Sequence, residues 1–139
     1  MGRILAIDYG RKRSGLAVTD ENRLIAGPLD TVASHDLLGY LKKYCLTETV
    51  DGFVVGEPLQ MNGTASESSQ YIKPFLVSLE KAFPNIPVYR VDERFTSKMA
   101  SRTILESGLK RKARQDKALI DKVSAVIMLQ TFMENFINH

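Results

Sequence analysis

The segment RILAIDYGRKRSGLAVTD, Arg3–Asp20, contains two apolar runs separated by a turn. The first run, Ile4–Ile7, is continuous, which is typical of a central strand covered on both faces. A turn with three consecutive basic residues follows, and the second run is Gly15–Thr19. This order predicts an antiparallel hairpin. Asp8 is then the last residue of the first strand.

Strands and helices alternate through the rest of the chain. Polar turn residues precede a third, edge-like strand, and Ser34 is predicted to cap the helix that follows it. The order β-β-β-α-β-α-β-α-α predicts one α/β domain over residues 1–139, with a mixed sheet and helices on its faces. The later predicted elements are strands at 24–31, 51–56 and 87–91 and helices after Ser34, after residue 67, over 96–107 and from about 116 to 136.

Composition is that of an ordinary globular protein. The 139 residues are 44% hydrophobic and 25% charged, which excludes a disordered or fibrous chain. The single cysteine, Cys45, excludes a disulfide framework and a multi-cysteine zinc site, and it is expected to be a core residue. No apolar run approaches the roughly 20 residues that span a bilayer, and no signal peptide is evident. We therefore expect a cytoplasmic protein without a membrane partner.

Positive charge is concentrated in two segments. The formal net charge is only +3, from 19 Lys and Arg against 16 Asp and Glu. One segment is Arg11–Arg13, and the other runs from Lys110 to Lys117. Such runs are either solvated faces or binding sites for a polyanion, meaning nucleic acid or a phosphorylated ligand. The candidate nucleic-acid-binding residues are Arg11, Lys12, Arg13, Arg94, Lys110, Arg111, Lys112 and Arg114.

Acidic residues stand at the ends of two predicted strands and near the start of the last helix. Asp8 follows the first strand, and Asp92 and Glu93 end a later one. Because side chains alternate along a strand, only one of this pair is expected to join a cluster. Asp121 lies on an apolar helical stripe, where its charge requires either a salt bridge or a metal ion. Carboxylates in this order are typical of a ribonuclease H-like nuclease, in which Mg²⁺ ions activate water against a phosphodiester.

Four segments, which together span nearly the whole chain, match one known pattern. They are Ile7–Asp20, Val54–Gly63, Val91–Thr96 and Asp121–Gln130. In this order they resemble the motifs of the YqgF/RuvX family, whose members are described as Holliday-junction resolvases and as pre-16S rRNA nucleases.

The resemblance has implications for fold, site and function. It implies a ribonuclease H-like fold, with a mixed sheet of five strands and helices on both faces. It implies that Asp8, Glu93 and Asp121 are the catalytic residues and metal ligands. It also implies dependence on Mg²⁺ or Mn²⁺ and a role in maturing the 5′ end of 16S rRNA.

Two residues depart from the family pattern. Ser124 stands where alanine is usual, a change in size that is small enough to matter little. Glu57 stands where leucine is usual, and it adds a fourth carboxylate at a strand end beside the expected site. Glu57 is therefore a further candidate metal ligand, and either Glu57 or Glu93 can be the second one. We expect Glu93 to contact the metal directly and Glu57 to tune the site or bind a water beside it.

Several functions are compatible with these residues. The leading hypothesis is a metal-dependent hydrolase that cleaves phosphodiesters of structured nucleic acid, at the 5′ end of pre-16S rRNA. The alternative substrate is a Holliday junction, since backbone contacts do not distinguish the two. A non-catalytic nucleic-acid-binding module is a lesser alternative. An ATPase of the actin and sugar-kinase type is disfavoured, because it needs two such domains. The sequence is compatible with a monomer and with a homodimer. A homodimer suits a resolvase, because two symmetric incisions need two active sites.

Overall fold

The computed structural model describes residues 2–23, 25–57, 69–92 and 117–134. The first strand has the predicted bounds, and the others differ from prediction by a few residues. The helix predicted over 96–107 lies outside the described residues. The elements are β1 (Arg3–Asp8), β2 (Arg13–Thr19), β3 (Ala26–Ala33), a 3₁₀ turn (Ser34–Asp36), α1 (Leu37–Thr47), β4 (Val50–Glu57), α2 (Ser69–Ala82), β5 (Val88–Asp92) and α3 (Lys117–Phe132).

The strands form one five-stranded mixed sheet in the order β3-β2-β1-β4-β5. β1 pairs antiparallel with β2 and parallel with β4. β2 pairs antiparallel with β3, and β4 pairs parallel with β5. β1 is therefore the central strand and β3 an edge strand of the described sheet, as predicted. None of the helices in the described ranges is long and apolar enough to cross a membrane.

Alternation along the strands divides the buried side chains between two cores. Leu5 and Ile7 of β1 face α1 and α2, whereas Ile4 and Ala6 face α3. The predicted mixed sheet with helices on both faces is confirmed. The first core also contains Leu16, Leu37, Leu41, Phe53, Val55, Ile72, Phe75 and Leu79, and the second contains Ala17, Val54, Ala125, Met128, Leu129, Phe132 and Met133.

The amino-terminal end of β1 is fixed by polar contacts to its neighbours. The buried Thr19 Oγ1 accepts a hydrogen bond from the Ile4 amide at 2.9 Å. The Arg3 guanidinium donates to the Thr19 carbonyl oxygen at 3.0 Å and to the Glu48 carboxylate at 3.1 Å. These contacts hold the end of the β1–β2 pair that lies farthest from Asp8.

The prediction that Ser34 caps α1 was wrong. The residue before α1 is Asp36, and the start of neither the 3₁₀ turn nor α1 carries a side-chain capping hydrogen bond. Ser34 Oγ instead donates to the Gly10 carbonyl oxygen and lies 2.8 Å from Ser14 Oγ. The partner of the Ser34 hydroxyl, Gly10, is 24 positions away in sequence. A local capping pattern does not reveal such a contact.

Core packing predicts a clear contrast between two leucines of α1. Leu41 is fully buried, so Leu41→Ala should lower the free energy of unfolding by about 2–5 kcal/mol through reduced burial and a residual cavity. Leu46 on the same helix is 85% exposed, and Leu46→Ala should change it by no more than about 0.5 kcal/mol. Urea denaturation measures both values. Similar losses in the two variants would contradict the assignment of α1 faces.

Candidate active site

The carboxyl ends of β1, β4 and β5 lie at the same edge of the sheet. In the parallel ladders, Ile7 aligns with Val55, and Glu57 aligns with Asp92. Acidic residues therefore end three neighbouring strands: Asp8, Glu57 and Asp92. Ligands of α/β proteins bind at this edge of the sheet.

Asp8 and Glu57 belong to opposite faces of the sheet at this edge. Asp8 follows the alternation of Ile4 and Ala6, which face α3. Glu57 follows that of Phe53 and Val55, which face α1 and α2. Both residues are half-buried. The pleat thus separates two carboxylates that the sequence places at adjacent strand ends.

Asp121 lies in α3, four residues before Ala125. Ala125, Met128 and Phe132 of this helix are buried against one face of the sheet. This is the face to which Asp8 belongs. Glu93 lies outside the described residues, as do Arg94, Lys110, Arg111, Lys112 and Arg114.

The residues that the structure describes do not by themselves complete a metal site. Within them, no three His, Cys, Asp or Glu residues form a group that could hold an ion. The sequence candidates extend beyond these residues, since the Glu93 position is not included. The described edge contributes Asp8 as a carboxylate oxygen donor at the end of the central strand.

A basic turn connects β1 to β2 directly after Asp8. Arg11 and Lys12 are exposed, and Arg13 is half-buried at the start of β2. Together with Gly10, these residues line a depression of about 290 Å³. The structure therefore places one of the two predicted basic segments beside the carboxyl end of the central strand.

Two ring contacts connect the basic turn to α2. The Tyr9 and Phe75 rings are stacked with centroids 4.7 Å apart. The Arg11 guanidinium lies 4.8 Å from the centroid of the Tyr71 ring, a cation–π contact. Tyr9 precedes Gly10 and Arg11 follows it, so α2 contacts the residue on each side of Gly10 in the sequence.

The turn requires glycine at position 10 and is held from inside by hydroxyl groups. A Cβ on Gly10 would overlap the Arg13 carbonyl oxygen. The Gly10 amide donates to Ser14 Oγ at 3.4 Å, and the Ser34 amide donates to the Lys12 carbonyl oxygen at 3.0 Å. Sequence reasoning did not identify Ser14 or this role of Ser34, because no local pattern marks a hydroxyl contact between distant segments.

Arg90 is a further cation at this edge that sequence reasoning missed. Its guanidinium donates to the carbonyl oxygens of Val55 at 3.2 Å and Gly56 at 3.1 Å. The sequence places Arg90 inside a predicted strand, where it gives no signal of a contact with the end of β4. Arg90 therefore adds positive charge near Glu57.

Cys45 packs as a structural residue. It is half-buried against the core between the sheet, α1 and α2, as predicted. Burial raises the pKa of its thiol. The thiolate is thereby disfavoured, which is the opposite of the environment that activates a nucleophilic cysteine.

The strand order, the mixed pairing and the helices on both faces form a ribonuclease H-like fold. The fold is similar to that of two solved structures of Thermus thermophilus RuvC. One is described as being in complex with a Holliday junction substrate (TM-score 0.60, 19% identity, 98% of this chain and 97% of that chain). The other gives a TM-score of 0.58 at 18% identity, covering 96% of each chain.

The sequence defines the family. The RuvX family, described as "Holliday junction resolvase", matches residues 2–135. The chain belongs to the RuvX family of nucleases. A relative from Porphyromonas gingivalis is 59% identical over 135 residues, covering 97% of this chain and 98% of the relative. One from Bacteroides thetaiotaomicron is 55% identical with the same coverage, and both are named "Putative pre-16S rRNA nuclease".

Steric constraint at the basic turn predicts that Gly10→Ala is destabilising. The added methyl group would overlap a backbone oxygen, so the turn must distort at a cost of about 1–3 kcal/mol. Gly27 is the matched control, because no atom lies within 4 Å of a Cβ built there. Gly27→Ala should stay within about 0.5 kcal/mol of the parent in urea denaturation. Equal stability of Gly10→Ala and the parent would show that the turn adapts freely.

Proposed function

We propose that the protein is a divalent-metal-dependent nuclease that hydrolyses phosphodiester bonds of a precursor of 16S rRNA. The observation that carries the proposal is the position of Asp8. It is a half-buried carboxylate at the end of the central strand, on the face covered by α3 and next to a basic depression. The names of relatives that are more than half identical to this chain support the RNA substrate.

The donor set proposed for the metal is Asp8, Glu93 and Asp121. Asp8 continues the alternation of Ile4 and Ala6, which pack on α3, and Asp121 is a residue of α3. On β5, Val91 packs with the α3-side core and Tyr89 contacts Phe132. Glu93 is two residues after Val91 in sequence, the spacing at which strand residues share a face, and this spacing supports its inclusion in the donor set.

The chemistry of the donor set suits a hard divalent cation. Carboxylate oxygens are preferred ligands of Mg²⁺ and Mn²⁺, which supports Mg²⁺ or Mn²⁺ at this edge. A bound divalent ion would polarise the scissile phosphoryl group and lower the pKa of a coordinated water.

The basic turn is proposed to bind the phosphate backbone. A cluster of carboxylates repels a polyanion, and cations beside it offset that repulsion. Only Tyr9 and Gly10 separate Asp8 from the basic segment Arg11–Arg13. These cations can therefore bind a backbone phosphate close to the phosphate that is cleaved. Such contacts position a backbone without reading its sequence. We propose that Arg94, Lys110, Arg111, Lys112 and Arg114 extend the same surface.

Glu57 is proposed to act indirectly. The pleat assigns it to the face of α1 and α2, whereas Asp8 follows the alternation of Ile4 and Ala6, which face α3. Arg90 supplies positive charge near it through its contacts with the end of β4. This placement supports Glu93 as the second metal ligand and an effect of Glu57 through charge or a bound water.

Branched DNA is the second candidate substrate, because the family that matches the chain is described as a Holliday junction resolvase. Purified protein should be incubated with a 5′-extended pre-16S rRNA fragment and with a four-way DNA junction. Each reaction is run with Mg²⁺, with Mn²⁺ and with EDTA. Native mass measurement adds a second criterion, since paired symmetric incisions need two active sites in a dimer.

Asp8→Asn should abolish cleavage while leaving the fold intact. The amide has nearly the shape of the carboxylate but lacks the negative charge that binds a cation. The matched control is Asp36→Asn, an exposed residue before α1 whose side chain makes no capping hydrogen bond. It should cleave at the parent rate. Retention of more than about a tenth of the parent rate by Asp8→Asn, equivalent to a loss of less than about 1.4 kcal/mol, would remove Asp8 from the catalytic set.

Substitution of Glu93 should lower the cleavage rate far more than substitution of Glu57. Glu93→Gln should lower the cleavage rate by orders of magnitude, because it removes a proposed ligand charge. Glu57→Leu should have a mild effect, since it acts only indirectly. Single-turnover cleavage of the preferred substrate, with metal titrated for each variant, measures rate and metal affinity. An inactive Glu57→Leu protein beside an active Glu93→Gln protein would reverse the two assignments.

A further inference from the structure

Two serines hold Gly10 through both of its backbone groups. The Gly10 amide donates to Ser14 Oγ at 3.4 Å, and the Gly10 carbonyl oxygen accepts a hydrogen bond from Ser34 Oγ. The two hydroxyl oxygens are 2.8 Å apart. Ser14 is fully buried and Ser34 is 9% exposed, so the bond between the two hydroxyls is buried, and the two bonds to Gly10 are partly buried.

The number of protons fixes the direction of each bond. A serine hydroxyl has one proton to donate. Ser34 gives its proton to the Gly10 carbonyl oxygen, so the bond between the hydroxyls must be donated by Ser14. Ser14 Oγ then accepts from the Gly10 amide. Gly10, Ser14 and Ser34 form a closed ring in which each residue donates once and accepts once, an arrangement whose members polarise one another.

The same serine fixes the far side of the turn. The Ser34 amide donates to the Lys12 carbonyl oxygen at 3.0 Å. The residues on both sides of Arg11 are therefore bound to the connection between β3 and α1. The shape of the turn is set by contacts within the protein before any ligand arrives.

We propose that Ser14 and Ser34 are positioning residues, which preform the Gly10–Arg13 turn as a binding site for a phosphate of the nucleic-acid backbone. This inference rests on the proposed function, in that a nucleic acid must reach this edge. The turn lines a depression of about 290 Å³ with three cationic residues, a suitable chemistry for a phosphate. A preformed site also loses less conformational entropy on binding than a mobile one.

Removal of either hydroxyl should weaken substrate binding selectively. Ser14→Ala and Ser34→Ala each leave a backbone group of Gly10 without its partner, and KM for the cleaved substrate should rise about tenfold. The kcat should stay within about twofold, because the turn binds ground and transition states alike. Asp8 is held separately by its ladder partner Gly15. The slope of log affinity against log salt should flatten by about 1 for each phosphate that the variant no longer binds.

Thr19→Val is the matched control. Thr19 is 1% exposed, and its hydroxyl accepts from the Ile4 amide at the other end of the same strand pair. Thr19→Val should lower the free energy of unfolding about as much as the two serine variants do. Its KM, and its slope of log affinity against log salt, should stay at the parent values. If KM of Thr19→Val rose as much as KM of the serine variants, the effect of the serine substitutions would be explained by general destabilisation. That result would overturn the proposal.

Amide hydrogen exchange tests the ring in the unmodified protein. The Gly10 amide should be protected in free wild-type protein and exchange faster in Ser14→Ala, whereas Thr19→Val should leave it unchanged. An unprotected Gly10 amide in the free wild-type protein would overturn preformation even if both serine variants failed to fold. Folded serine variants with parent KM and salt slope would overturn the positioning role. Wild-type protein that neither binds nor cleaves either substrate would instead overturn the proposed function, before any variant is compared.

Discussion

Burial of β1 on both faces is the constraint on which the remaining structure depends. The strand is continuously apolar from Ile4 to Ile7, and successive side chains enter different cores. A strand of this kind is stable only in the middle of a covered sheet. The position of its last residue, Asp8, is therefore well defined. The Asp8 side chain is half-buried, and the surface turn follows directly after it. The charged edge follows from the apolar strand that precedes it.

The connection after β1 is held by several kinds of contact besides the ladder hydrogen bonds of the strands. Glycine at position 10 permits an approach to Arg13 that any side chain would block. The turn is then held by hydrogen bonds with the hydroxyl groups of Ser14 and Ser34 and by ring contacts with α2. Interactions of these different kinds converge on five residues that carry three cationic side chains. Such a set of contacts is expected where a site must present charges in a fixed arrangement.

The sequence predicted those features that depend on periodicity. The continuous run of β1 predicted a central strand, and the alternation of strands and helices predicted a mixed sheet with helices on its faces. Contacts between distant polar residues were not predictable, because they leave no periodic signal. Ser34 shows this most clearly, since its position before a helix resembles a cap while its hydroxyl binds Gly10. Arg90 gave no signal for the same reason, because its partners are carbonyl oxygens of another strand.

The pleat of the sheet distinguishes acidic residues that sequence position alone treats as equivalent. Glu57 and Asp8 end neighbouring parallel strands, and their nearness along the edge first suggests a shared metal site. Alternation assigns Glu57 to the α1 and α2 side, while Asp8 belongs to the side covered by α3, the helix that contains Asp121. A shift of one residue along a strand therefore exchanges the two faces. The faces of Asp8 and Glu57 at this edge are thus a consequence of strand register rather than of residue type.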